Sequence, residues 1–256
     1  MMKIDKKLYV FDMDGTVYLG ENVFPFAVEY IKRLRAEGRR VLFFTNNASK
    51  SPSFYINRLT RMGFEPREDE ILTSGDVTIR FLHEKRAGKT VYLLGTELLQ
   101  KSFADAGIVL SDDADIVVSS FDTELTYKKL ERACTLIRGG AEYLCTHPDF
   151  NCPTEDGFIP DSGAIAAAIT ASTGVKPRFF GKPYADTAKM ILSYTGCEAS
   201  DACIFGDRLY TDIALGKNSG MTAVLVLSGE TKLQDLEGLS PQQTPDIILN
   251  SINDLI

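Results

Sequence analysis

The sequence predicts an α/β protein built on a parallel β-sheet, and three observations lead there. Short β-branched or aromatic runs alternate with segments of helical period along the 256 residues. The repeated order strand, helix, strand, helix calls for parallel strands joined by right-handed crossovers. Four polar stretches follow or flank predicted strand ends, where open α/β sheets hold their ligands.

The elements follow in chain order. Leu8–Phe11 is an apolar run read as a buried strand. Ala27–Glu37 is read as a helix, with Val28, Ile31, Leu34 and Arg35 at 3–4 spacing and Gly38 as its stop. Val41–Phe44 is the next strand. Ser51-Pro52 supplies a cap and a first-turn proline for a helix carrying Phe54, Ile56, Leu59 and Met62, which ends at Gly63. Val91–Leu94, Ile116–Ser119 and Tyr143–Cys145 read as strands, Leu98–Ala106 and Leu130–Arg138 as helices, and Ile165–Thr173 as an Ala-rich helix. Ala202–Phe205 and Ala223–Leu227 are continuous apolar strands, with Ile247–Leu249 a weaker third. No fixed-period repeat and no low-complexity tract interrupts this order.

Composition narrows the function classes. Apolar residues make up 44% and charged residues 25%, enough for a sizeable core. The net charge of −7 argues against nucleic acid or an anionic membrane surface as partner, both of which need clustered Lys and Arg. No apolar run approaches the roughly 18 residues of a membrane span. Lys3, Lys6 and Lys7 precede an apolar stretch, but Asp12 ends it after four residues, shorter than a secretory core of roughly seven to fifteen. The five cysteines are odd in number and lack CxxC spacing, which fits reduced thiols and a cytoplasmic protein better than disulfides or zinc. Gly88-Lys89-Thr90 resembles the end of a phosphate loop, but His83 stands where the first glycine belongs, and no GxGxxG follows a strand.

The chemistry lies in four stretches. Asp12-Met13-Asp14-Gly15-Thr16 places two carboxylates at a strand end, where one can act as a nucleophile and the other as general acid and base. Thr45-Asn46-Asn47 offers a hydroxyl and two amides to phosphoryl oxygens. Lys182, in Gly181-Lys182-Pro183, precedes a helix starting near Tyr184 and can neutralise an anion there. Asp207 and Asp212 lie five apart after the Ile204-Phe205 strand end, with Asp212 expected to open a helix over Asp212–Lys217. Four acids converging on one pocket would repel one another. A divalent cation, with Mg²⁺ suited to such oxygen donors, and Lys182 together supply the charge that would offset them.

Taken in order, "DMDGT", "FFTNN", "GKP" and "GDRLYTD" resemble the haloacid dehalogenase (HAD) superfamily, most closely subfamily IIA, the NagD and p-nitrophenylphosphatase-like branch. The resemblance implies a Rossmann-like, doubly wound core of residues 1–79 and 180–256, with a large α/β cap over 80–179. It implies an Mg²⁺-dependent phosphatase acting on small phosphate monoesters through an aspartyl-phosphate. Asp12 would be the nucleophile and Asp14 the acid and base. Thr45, Asn46 and Lys182 would hold the phosphate. Mg²⁺ would be bound by Asp12, the Asp14 backbone carbonyl and Asp207, with Asp212 supporting them from behind. His147, Asp149 and Asn151 in "CTHPDFNCPTEDGFIPDSG" would lie beside the substrate. With only His83 and His147 present, a histidine-based phosphatase is poorly supported. The expected partner is a small phosphorylated metabolite, and caps of this kind suggest a homodimer. Phosphoryl transfer to another alcohol, as in a mutase, and a non-catalytic module binding phosphorylated ligands are the competing readings.

Overall fold

The computed structural model describes residues 4–154 and 157–255. It divides into two compact units. The first comprises residues up to Thr45, Pro52–Leu72 and the chain from Lys182 onward; the second comprises Asn46–Ser51 and Thr73–Gly181.

In the first unit a six-stranded sheet runs β14-β13-β12-β1-β4-β5. Its strands are β1 (Leu8–Phe11), β4 (Arg40–Thr45), β5 (Ile71–Thr73), β12 (Ala202–Gly206), β13 (Thr222–Val226) and β14 (Ile247–Leu249). All four residues of β1 are buried, because it pairs in parallel with β4 on one side and β12 on the other. A strand covered on both faces and both edges reads as an unbroken apolar run. The Phe11 ring stacks on Phe205 with centroids 4.7 Å apart, and Phe43 packs beside it. Helices α1 (Ala27–Ala36), α2 (Pro52–Arg61), α7 (Ala185–Thr195) and α8 (Ala214–Ser219) flank the sheet. From β1 the chain builds outward to β4 and β5 on one side and from β12 to β14 on the other. The carboxyl ends of β1 and β12 thus form a topological switch point. A small hairpin, β2 (Tyr18–Leu19) with β3 (Asn22–Val23), follows the first acidic stretch.

The second unit has its own parallel sheet, β11-β8-β7-β6, made of β6 (Val91–Leu94), β7 (Ile116–Ser119), β8 (Glu142–Cys145) and β11 (Arg178–Phe179). Its helices are α3 (Ser74–Lys85), α4 (Glu97–Asp105), α5 (Tyr127–Arg138) and α6 (Ser162–Thr173). Val117, Ile137, Tyr143 and Ile169 lie in one apolar cluster of this unit. An antiparallel hairpin, β9 (Asn151–Thr154) with β10 (Gly157–Pro160), leaves Phe158 exposed.

The unit boundaries fall at 72/73 and 181/182, against 79/80 and 179/180 expected from the sequence. The first difference has a local cause. Helix α3 starts at once after β5 through a capping box: Thr73 accepts from the Asp76 amide, and the Asp76 carboxylate accepts from the Thr73 amide at 2.7 Å. Residues 74–79 therefore belong with the rest of their helix. The Asn46–Ser51 segment is tied into the second unit by Thr96 Oγ1 donating to the Ser49 carbonyl at 2.8 Å and by Ser74 Oγ donating to the Asn46 carbonyl. Among the described residues no helix is long and apolar enough to cross a membrane.

Candidate active site

The centre of the first unit's site is the end of β1. The Asp12 amide still donates to the Phe205 carbonyl at 2.8 Å, so the ladder holds its backbone while its side chain leaves the sheet. Lys182 Nζ lies 2.5 Å from Asp12 Oδ1 and 2.6 Å from Asp212 Oδ1, and it reaches the Phe44 carbonyl at 3.3 Å. The ammonium is almost completely buried, with only 3% of the lysine side chain exposed. Burial works to lower its pKa, but the two carboxylates outweigh that and hold it above the ordinary lysine value.

Asp207 follows β12 and is clamped from several sides. Its Oδ2 accepts the Glu230 amide at 2.7 Å, and its carbonyl accepts the Thr231 amide at 3.2 Å. A Cβ on Gly229 would lie 2.0 Å from Asp207 Oδ2, and one on Gly15 would lie 2.4 Å from the same atom. Gly15 also has φ +85°, so glycine is required there twice over. Ser228 Oγ donates to the Gly15 carbonyl at 2.8 Å. Asp212 is not the helix opener expected. It sits inside a π-helical turn, Leu209–Ile213, that leads into α8. That turn folds its carboxylate back against Gly206, whose missing Cβ would otherwise lie 2.1 Å from Asp212 Cβ. Asp212 Oδ2 accepts the Arg208 amide at 3.1 Å.

Burial raises Asp12 to about 6, against the pull of Lys182. Burial, with added repulsion from Asp12 and Asp212, raises Asp207 to about 7. Carboxylate oxygens of Asp12, Asp207 and Asp212 all lie within 4.8 Å of one another. Among the described residues no hydrogen-bond donor reaches the buried Asp207 Oδ1. Three acids, one lysine and an orphaned carboxylate oxygen fit a small divalent cation that prefers oxygen ligands. The Asp14 carboxyl is outside this cluster, so the convergence of four acids expected from the sequence is reduced to three. Asp14 is exposed at the surface; crowding by protein atoms raises its pKa above the usual carboxylate range, opposed chiefly by Arg58.

Thr45 closes β4 in the first unit, whereas Asn46 belongs to the second. There Asn46 Nδ2 donates to Asp149 at 3.2–3.3 Å. His147 is fully buried, with Nε2 at 2.9 Å from Asp161 Oδ1 and Nδ1 at 3.0 Å from Thr146 Oγ1 and 3.3 Å from Ser74 Oγ. A Cβ on Gly181 would lie 2.6 Å from Asn46 Oδ1 and 2.9 Å from His147 Cβ. Asn151 opens β9 and is exposed.

Sequence reasoning missed the Ser228-Gly229-Glu230 loop, although small residues after an apolar strand follow the same rule as the stretches it found. It also missed Ser74 and Asp161. Their signals were present: Thr73-x-x-Asp76 is a capping-box pattern, and Asp161 before Ser162-Gly163 is a helix-start pattern.

Residues 9–109 match the family described as haloacid dehalogenase-like hydrolase, and residues 179–255 match one described as HAD-hydrolase-like. The chain is 36% identical over 233 residues to an acid sugar phosphatase of Staphylococcus aureus, covering 90% of each sequence. It is similar to the solved structure of a 4-nitrophenylphosphatase from Thermotoga maritima, with TM-score 0.94 and 40% identity, over 98% of this chain and 96% of that one. It is also similar to a glycerol phosphate phosphatase from Mycobacterium tuberculosis in complex with magnesium, with TM-score 0.91 and 30% identity, over 98% of this chain and 76% of that one. Likeness of that extent, with matched ranges that span Asp12, Lys182, Asp207 and Asp212, means that the chain belongs to the haloacid dehalogenase-like hydrolases, in the NagD and p-nitrophenylphosphatase-like subfamily IIA, and is a phosphatase.

Proposed function

We propose that the protein hydrolyses small phosphate monoesters with Mg²⁺ through a phosphorylated Asp12. The observation that carries this reading is the Asp12 carboxylate at the switch point, ion-paired to a buried Lys182 beside the orphaned oxygen of Asp207. An Asp12 oxygen attacks phosphorus in line, and the bond from phosphorus to the ester oxygen breaks. Asp14, whose raised pKa favours holding a proton, gives that proton to the departing alkoxide. Asp14, now a carboxylate, takes a proton from water as that water attacks the phosphorus of the aspartyl-phosphate. The bond to Asp12 breaks, releasing phosphate and restoring both groups. Lys182 offsets charge on Asp12 and on the phosphoryl oxygens, which Thr45 and Asn46 hold.

Asp12, Asp207 and the Asp14 backbone carbonyl would hold Mg²⁺, with Asp212 fixing Lys182 behind them. The ion would supply a Lewis acid for the phosphoryl oxygens. Names of the relatives point to a sugar phosphate, a glycerol phosphate or an aryl phosphate as the kind of substrate. We place the protein in the cytoplasm and as a homodimer, which light scattering of the purified chain would check. Free cysteines throughout agree with a reducing compartment.

The deciding experiment is phosphate release from p-nitrophenyl phosphate, with Mg²⁺ or with chelator, for wild type and Asp12→Asn. Metal-dependent release that disappears in the variant is the expected result. Release from wild type that survives in Asp12→Asn would refute the covalent route. Formation of a new phosphate ester from an added alcohol, in place of free phosphate, would favour the transferase reading.

A further inference from the structure

The second unit contains a buried polar chain of which the hydrolytic scheme uses only Asn46. It runs from Asp161 through His147 and Ser74 to Asn46, and Asp149 closes it on the amide side. Ser74 Oγ has one proton, and the Asn46 carbonyl can only accept, so that proton lies between them. Thr146 Oγ1 donates to Ser120 Oγ at 2.9 Å. Both hydroxyl oxygens facing His147 Nδ1 therefore present lone pairs to it. On the other side of the ring, Asp161 Oδ1 already accepts the Ser162 amide at 2.5 Å and faces Nε2 at 2.9 Å, as an acceptor in both contacts. Acceptors at both nitrogens are the arrangement that a doubly protonated ring satisfies.

The backbone around the ring is equally constrained. Gly163 donates to the Asp149 carbonyl at 2.7 Å, and a Cβ there would meet the Pro148 carbonyl at 2.1 Å. The start of α6 thus grips the His147-Pro148-Asp149 segment. Asn46 is held twice: Ser74, which faces the His147 ring, donates to its backbone carbonyl, and Asp149 in that segment accepts from its side-chain amide. Titratable neighbours of the ring are Asp161, Asp149 and Cys145, whose Sγ donates to the His147 carbonyl at 3.3 Å.

We propose that His147 is a positioning residue, a buried imidazolium paired with Asp161, that fixes Asn46 through Ser74. This rests on the reading of Asn46 as a phosphate-binding residue. It also takes His147 away from direct contact with substrate, in keeping with its complete burial.

With only two histidines in the chain, ring ¹⁵N spectra of labelled protein can be assigned with His147→Gln. At pH 7.5, above the ordinary histidine pKa of about 6.5, His147 should retain both ring protons, and Asp161→Asn should remove one. Competitive inhibition by inorganic phosphate provides the second readout. His147→Gln and Ser74→Ala should each weaken it about tenfold, as for one lost charge-assisted hydrogen bond, and neither should weaken it further in an Asn46→Ala background. Ser74→Ala, which removes a single hydroxyl, stands in should His147→Gln fail to fold. A neutral ring at pH 7.5, or full effects persisting in the Asn46→Ala background, would overturn the proposal. If Asn46→Ala leaves phosphate inhibition unchanged, the positioning role falls together with the assignment of Asn46. The hydrolytic reading itself would stand or fall separately on the Asp12→Asn assay.

Discussion

Lys182→Met retains a long unbranched side chain and removes the charge together with the N–H donors that carry it. In the structure that charge is shared by Asp12 at 2.5 Å and Asp212 at 2.6 Å, inside a site that exposes 14% of the Asp12 side chain and 1% of that of Asp212. At an effective dielectric near 20, each such pair is worth roughly 6 kcal/mol of Coulomb attraction before desolvation is counted. Most of that is offset by the cost of burying the ions. What remains on breaking the pair is the penalty for leaving carboxylates uncompensated, about 3–5 kcal/mol. The chain has no tryptophan, so urea unfolding would be followed by far-UV circular dichroism, with chelator present to remove bound cations. Lys182→Met should lower the midpoint by the equivalent of about 3–5 kcal/mol. Adding Asp212→Asn to that variant should recover part of the loss, because one of the stranded charges disappears. A loss below about 1 kcal/mol, the size of a surface pair, or a double variant less stable than Lys182→Met, would show that Lys182 does not neutralise these acids.

Gly229→Ala would drive a methyl to within 2.0 Å of Asp207 Oδ2, so Mg²⁺ titration of activity should show at least a tenfold weaker apparent affinity; unchanged affinity would mean the loop yields without moving Asp207. Asp14→Asn should slow hydrolysis of an alkyl phosphate far more than that of p-nitrophenyl phosphate, because nitrophenolate leaves without a proton; equal losses would remove Asp14 from leaving-group protonation. In the second unit, Arg86 lies 2.6 Å from Glu142 and holds that carboxyl below the usual glutamate range. A depressed carboxyl stabilises above its unfolded pKa, near 4.5, and the benefit fades as pH falls through the lower folded value. About a third of each side chain is exposed, so Glu142→Gln should cost only about 0.5 kcal/mol at pH 7. That difference in melting should shrink as pH falls below the unfolded value and vanish below the lowered folded one; a constant difference across the range would refute the ion pair as its source.

The most legible parts of this molecule are short apolar runs that stop where the polarity changes. β1 and β7, which have a neighbour on each side, and the edge strands β6 and β14 all have the bounds expected. Helix α3 was not legible. Its sequence opens Ser74-Gly75 and mixes Val77, Thr78 and Ile79, so neither propensity nor periodicity marks it, and only the capping box does. The β9–β10 hairpin lacks a buried face, and alternation of burial is what betrays a strand. Thr126 begins α5 earlier than the apolar spacing implied, because the cap precedes the first core-facing turn.

The candidate site was legible through charge before it was legible through shape. Aspartates at strand ends demanded a cation, and that demand pointed to Lys182, 170 positions away from Asp12, which no local pattern could connect to it. What the sequence could not supply was the allocation. The π-helical turn at Leu209–Ile213 turns Asp212 toward Lys182, so the lysine is committed to Asp12 and Asp212 together. Asp207 is left with its Oδ1 unsatisfied, while Asp14 stands apart near Arg58. The positive charge still missing is therefore localised at one oxygen of one aspartate. In the proposed scheme a divalent cation takes that place, for the same reason the lysine sits next to Asp12: a buried carboxylate without a donor or a counter-charge is costly.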